Sequence, residues 1–135
     1  LSIDAFYRSQ KTSPPIEVSN FSLDRSVIKE GESATLTLTV KNLDLKTHKA
    51  DLFFYVSPRI LIYAGTEHLL SRNNTAYIYS FTLESTDPSK TKVFTLTGFL
   101  EEDVSAANYP ISLVVYADGE HLAKTWHDLS VRIER

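Results

Sequence analysis

A chain of 135 residues, 42% of them hydrophobic, is long enough to build one core of its own, so it needs neither a disulfide nor a metal to fold. It has no cysteine, which excludes a disulfide scaffold, a thiolate zinc site and a thiol nucleophile. The formal charge is -3 and the basic residues are scattered without a stripe that could neutralise a row of phosphates, so no nucleic-acid partner is expected.

The longest apolar runs, LFFYV at 52–56 and ILIYA at 60–64, fall far short of the roughly 20 residues that a membrane-spanning helix needs. A sequence that starts at Leu1 and contains no methionine is expected to continue upstream, where a signal peptide or a membrane anchor would lie.

Residues 1–15 read as an N-terminal arm or linker, because Ile3, Phe6 and Tyr7 are their only core candidates. Residues 16–135 read as one β-sandwich domain. IEVSNFSLD (16–24) changes hydrophobic phase between Val18 and Phe21, which predicts a bulge or a switch of sheet. In EGESATLTLTVKNLD (30–44), Gly31 supplies a turn. Threonines then alternate with Ala34, Leu36, Leu38 and Val40, as in a strand with one wet face and one dry face.

DLFFYV (51–56) is apolar on both phases, which predicts a central strand or one whose outer face is covered. Residues 57–74 admit two readings, a short strand at Ile60 to Tyr63 followed by a polar loop, or a helical turn around Glu67 to Leu70. TAYIYSFTL (75–83) sets Tyr77, Tyr79, Phe81 and Leu83 on one side, and KVFTLTGFL (92–100) follows the Asp87-Pro88 turn. YPISLVVYA (109–117) and HLAKTWHDLSVRI (121–133) form a pair joined at Asp118-Gly119.

That last pair leaves two registers open. A two-residue turn sends Trp126 to the core and requires a bulge near His127 to bring Leu129, Val131 and Ile133 inward. A three-residue loop instead gathers Val114, Tyr116 and Trp126 into an outward patch. In total about seven strands, with turn signals every 8 to 15 residues and no sustained helical period, predict an all-β, Ig-like antiparallel sandwich.

The stretch VIKEGESATLTLTVKNLD resembles the opening of the CARDB and S-layer-related modules: an approach strand, a Gly-Glu turn, a strand of alternating threonine and aliphatic residues, and a closing Val-Lys-Asn. SKTKVFTLTGFLEEDVSAANYPISLVVYADGE is similar to their second half, and the resemblance spans about Val27 to Glu120. Asn108 stands where their usual glycine precedes the tyrosine, and 57–74 is longer than a minimal module needs. The resemblance implies extracytoplasmic, non-catalytic domains of archaeal and bacterial envelope proteins, at the cell surface or in the pseudo-periplasm. They act as spacers, adhesion modules or surface-layer contacts; soluble domains of archaeal motility and pilus accessory proteins belong to the same class. The membrane would be reached only through an anchor outside this chain.

No stretch carries a catalytic signature. His48, His68, His121 and His127 stand in no metal-ligand spacing, and no Gly-x-Ser-x-Gly elbow or phosphate loop occurs. Glu120-His121 and His127-Asp128 flank the last hairpin and form the one pairing to weigh as a metal site or acid/base pair; solvated turn and strand-edge residues explain it better. Glu101-Glu102-Asp103 lacks the spacing of a calcium loop.

No enzyme, metal or cofactor is therefore expected. Asn20-Phe21-Ser22 and Asn73-Asn74-Thr75 are glycosylation sequons, of use only on an exported protein. The aromatic residues exceed what one inner sheet face needs, so Tyr116, Trp126, Val114, Tyr77 and Tyr79 are the candidate binding face. Its expected partner is an envelope or surface-layer protein or a second copy of the chain; a glycan stacked on Trp126 and Tyr116 is the alternative.

Overall fold

The computed structural model describes residues 14–121 and 127–135. Among these it has twelve strands and no helix: β1 (Ile16–Leu23), β2 (Val27–Lys29), β3 (Ser33–Asn42), β4 (His48–Val56), β5 (Ile60–Ala64), β6 (His68–Leu69), β7 (Ser71–Asn73), β8 (Ala76–Leu83), β9 (Ser89–Gly98), β10 (Ala106–Ala117), β11 (Glu120–His121) and β12 (His127–Glu134). The seven predicted strands correspond to β1, β3, β4, β8, β9, β10 and β12. The other five are two to five residues long, and segments that short carry too few alternations to announce themselves.

Two sheets pack face to face. The smaller runs β1-β3-β9-β5-β6, and the larger runs β2-β12-β10-β4-β8-β7, with β11 also paired to β10. All the pairings are antiparallel except β2 with β12. The all-β sandwich expected from the alternation is the observed fold.

The alternation also sorts the faces. Ala34, Leu36, Leu38 and Val40 are buried in the core, while Thr35, Thr37 and Thr39 line the outer face of the smaller sheet. Opposite them, Leu52, Phe54, Ile111, Leu113, Val115, Val131 and Ile133 form the inner face of the larger sheet. Phe54 meets Phe94 across the core with ring centres 5.0 Å apart, and Tyr79 meets Phe94 at 5.2 Å.

β4 is central, between β10 and β8, with its inner positions buried and Asp51, Phe53 and Tyr55 of its outer face half-buried. The phase change in β1 is a bulge between Ser19 and Ser22, with Asn20 at φ 55. Residues 60–64 form a strand, and no helical turn exists at 67–70.

The last hairpin combines features of both predicted registers. Tyr116 pairs with His121 and Ala117 with Glu120, so Asp118 and Gly119 make a two-residue turn with φ of 55 and 81. Further on, Leu113 pairs with His127 and Ile111 with Leu129. From Leu113 to Tyr116 is three residues and from His121 to His127 is six, so the register slips by three. An odd slip reverses the inward phase, and it brings Val131 and Ile133 into the core. Trp126 lies outside the described residues.

Candidate interaction face

The outer face of the larger sheet gathers an apolar cluster. Cross-strand pairing sets Phe53 of β4 between Val114 of β10 and Ile78 of β8. Tyr116 is its diagonal neighbour on β10, and Tyr55 follows Phe53 two residues along β4 on the same face. The rings of Phe53 and Tyr116 are 4.8 Å apart, tilted at 52°, and those of Phe53 and Tyr55 are 6.4 Å apart and stacked. Phe53, Tyr55, Ile78 and Tyr116 are half-buried. Val114 is only 1% exposed although it lies outside the core between the sheets.

Polar pairs bound the cluster at both ends. Ser80 Oγ donates to Asp51 Oδ1, which Lys49 Nζ approaches at 4.0 Å; at the other end Ser112 Oγ donates to Asp128 Oδ1 at 2.7 Å.

The predicted binding face is thus only partly assembled. Val114 and Tyr116 share this surface, but Tyr77 and Tyr79 do not. They pair with Phe54 and Leu52 on the inner face. Tyr77 is 3% exposed in the core, and Tyr79 packs against it. The guanidinium of Arg72 sits 4.7 Å from the Tyr77 ring centre, and the Lys92 ammonium lies 5.7 Å from Tyr79 and 4.6 Å from Phe81. Phe53, Tyr55 and Ile78 replace them on the outer face. Their signal was present in the sequence, since pairing β8 to β4 in phase with Leu52 and Phe54 forces that division.

The remaining candidates fall apart or stay on the surface. His127 and Asp128, being adjacent in a strand, face opposite sides: His127 packs edge-on against Phe21 at 6.4 Å, and Asp128 is engaged by Ser112. Glu120 is exposed, and the side chain of His121 lies outside the described residues. Glu101, Glu102 and Asp103 are exposed, and a shallow cavity of about 360 Å³ is lined by Glu102, Asp103, Val104, Ser105 and Arg135. Arg135 closes one side of it with bonds to Val104 O at 3.0 Å, Glu101 O at 2.7 Å and Glu30 Oε1 at 3.2 Å. Among the described residues no group of three or more His, Asp or Glu side chains is disposed to hold a metal ion. Asn20 and Asn73 are both exposed, Asn20 in the β1 bulge and Asn73 in the edge strand β7.

Sequence spacing gave no hint of the one buried ionic group among the described residues. His48 opens β4 on the inward phase and is 7% exposed. Its Nδ1 lies 2.6 Å from Asp118 Oδ2, and its Nε2 lies 2.7 Å from Asp44 Oδ1. Burial opposes the charged ring, but the bonds to Asp118 and Asp44 outweigh burial and raise the pKa above 6.5. The same contacts, the bond from His48 foremost, hold both carboxyls below 3.8.

No helix among the described residues is long and apolar enough to cross a membrane. No family model matches the chain, and no curated protein matches it. Among solved structures it is similar to the Pseudomonas fluorescens alkylpurine DNA glycosylase AlkC bound to DNA containing an abasic site analog, with a TM-score of 0.53 and 13% identity over 92% of this chain and 32% of that one. It is similar also to the β-glucosidase from Listeria innocua, with a TM-score of 0.56 and 17% identity over 87% of this chain and 16% of that one. The glucose complex of that enzyme gives 0.54 and 16%, over 89% and 16%. This chain therefore spans a minor part of each of these proteins, and at such identities the likeness is one of fold alone.

Proposed function

We propose that this chain is a non-catalytic protein-binding or structural module that works outside the cytoplasmic membrane and contacts an envelope or surface-layer protein through the outer face of its larger sheet. The soluble domain of an archaeal motility or pilus accessory protein is the specific case within that class. The observation that carries the reading is the cluster of Phe53, Tyr55, Ile78 and Tyr116 between two polar pairs. An aromatic centre with a polar rim is the composition that distinguishes protein interfaces from other surface. The resemblance of about Val27 to Glu120 to envelope modules supports that location.

The test is co-sedimentation of the purified domain with envelope fractions of its own organism, either intact, stripped of protein or stripped of glycan. Binding should follow the protein layer and weaken about tenfold or more in Phe53→Ser, whose unfolding transition serves as the folding control. Binding that follows the glycan, with a shift in the emission of the sole tryptophan, would replace this reading with sugar stacking on Tyr116 and Trp126. Failure to bind any fraction would overturn both.

A further inference from the structure

We propose that His48 is a pH-operated latch: as an imidazolium it ties Asp44 of the β3–β4 loop and Asp118 of the β10–β11 turn to the start of β4, and on losing its proton it releases Asp44. This inference does not depend on the identity of any partner.

Both ring nitrogens lie within 2.7 Å of a carboxylate oxygen, and a carboxylate can only accept. Only the protonated ring has two N–H groups to give. A neutral ring keeps one and turns a lone pair towards the other carboxylate, a repulsive contact at that distance. One arm must then open.

The surroundings decide which arm opens. Asp118 is held to β4 independently of the ring: its Oδ1 accepts the Lys49 N–H at 2.8 Å, and its own N–H donates to Lys49 O at 2.8 Å. Asp44 has beyond the ring only a local bond, from Lys46 N–H at 3.0 Å. The neutral ring therefore keeps its proton on Nδ1, facing Asp118, and Asp44 swings away.

The charged groups around the ring are Asp44, with Lys46 behind it, from the loop, and Asp118 from the turn. β8 opposes the ring with Leu83, and the Lys49 side chain is drawn to Asp51 on the other face of the sheet. The loop stays anchored without the ring, since Leu43 N–H donates to Pro15 O at 2.9 Å, Leu45 N–H to Asn42 Oδ1 at 3.0 Å and Asn42 Nδ2 to Lys46 O at 2.8 Å, so the latch frees the Asp44 carboxylate and not the whole segment.

The sign follows from linkage. A folded-state pKa raised above that of the unfolded chain gives stability that is fully present below the unfolded value and is lost as pH rises through the folded value. The experiment is a nitrogen-15 NMR titration of the His48 ring in the intact chain, which needs no variant, together with unfolding midpoints of wild type and His48→Gln from about pH 6 to about pH 9. Expected are two protonated nitrogens at the acid end, a titration above 6.5 and the Nδ1–H tautomer at the alkaline end. The wild-type midpoint should fall relative to His48→Gln as the ring titrates, and Asp44→Asn should lower the ring's pKa. Titration below 6.5, an Nε2–H tautomer, or parallel pH profiles of wild type and His48→Gln would each overturn the proposal.

Discussion

Gly98 is the one glycine of the four at which a Cβ would meet close neighbours, and replacing it with alanine tests how the two sheets meet. A Cβ there would lie 2.1 Å from Cδ1 and 2.9 Å from Cγ1 of Ile133, and 3.4 Å from Cδ1 of Ile60. Carbon atoms in a core normally approach no closer than about 3.5 Å, so roughly 1.4 Å of overlap must be absorbed. Ile133 and Ile60 are fully buried, and Gly98 O is tied to Gly31 N–H at 2.9 Å, so neither side backs away freely. Overpacking of this kind costs about 1–3 kcal/mol, and the stiffer backbone of alanine returns about 0.5–1 kcal/mol.

Gly98→Ala should therefore destabilise the fold by about 0.5–2 kcal/mol. That would appear in urea unfolding as a lower midpoint with an unchanged slope. Ile133→Val removes the offending Cδ1 at a cost of about 0.5–1.5 kcal/mol by itself. The double variant should be more stable than the two costs added, by about 1 kcal/mol of coupling. A Gly98→Ala midpoint at or above wild type, or strict additivity with Ile133→Val, would refute the packing described.

Three further outcomes are expected. Phe54→Ala, which empties the position against Phe94, should cost about 3–5 kcal/mol, measured by the same denaturation. Asn42→Ala removes bonds to Lys46 O at 2.8 Å and Glu84 O at 3.2 Å and the acceptor for Leu45 N–H. It should cost about 1–3 kcal/mol and raise amide exchange at Leu45. On the acid side, Asp44 and Asp118 have folded pKa values below 3.8, so their contribution is complete above that value and lost as pH falls through the folded values. The acid limb of a pH–stability profile should flatten in Asp118→Asn.

Much of this fold was legible because period-two alternation is a direct imprint of a half-buried strand. β3 announces its buried Leu36, Leu38 and Val40, and β4 its central place in the sheet. The phase change between Val18 and Phe21 marks the bulge at Asn20. What escaped depends on contacts distant in sequence. β2, β6, β7 and β11 are two or three residues long and exist through the strands they join. Tyr77 and Tyr79 are assigned to a face only once β8 is registered against β4.

The latch joins Asp44, His48 and Asp118, the last pair 70 positions apart. A motif scan has no access to that pairing. The available signal was the inward phase of β4, which places His48 in line with Ala50 and Leu52, where a histidine needs polar partners.

The most direct test of the interaction face is a covalent footprint of the domain bound to the envelope fraction with which it sediments. Hydroxyl-radical labelling should be suppressed at Phe53, Tyr55, Ile78 and Tyr116 and unchanged at Val93, which is 54% exposed on the threonine-lined face of the smaller sheet. Protection at Val93 with none at Phe53 would contradict the account and move the interface to the other sheet.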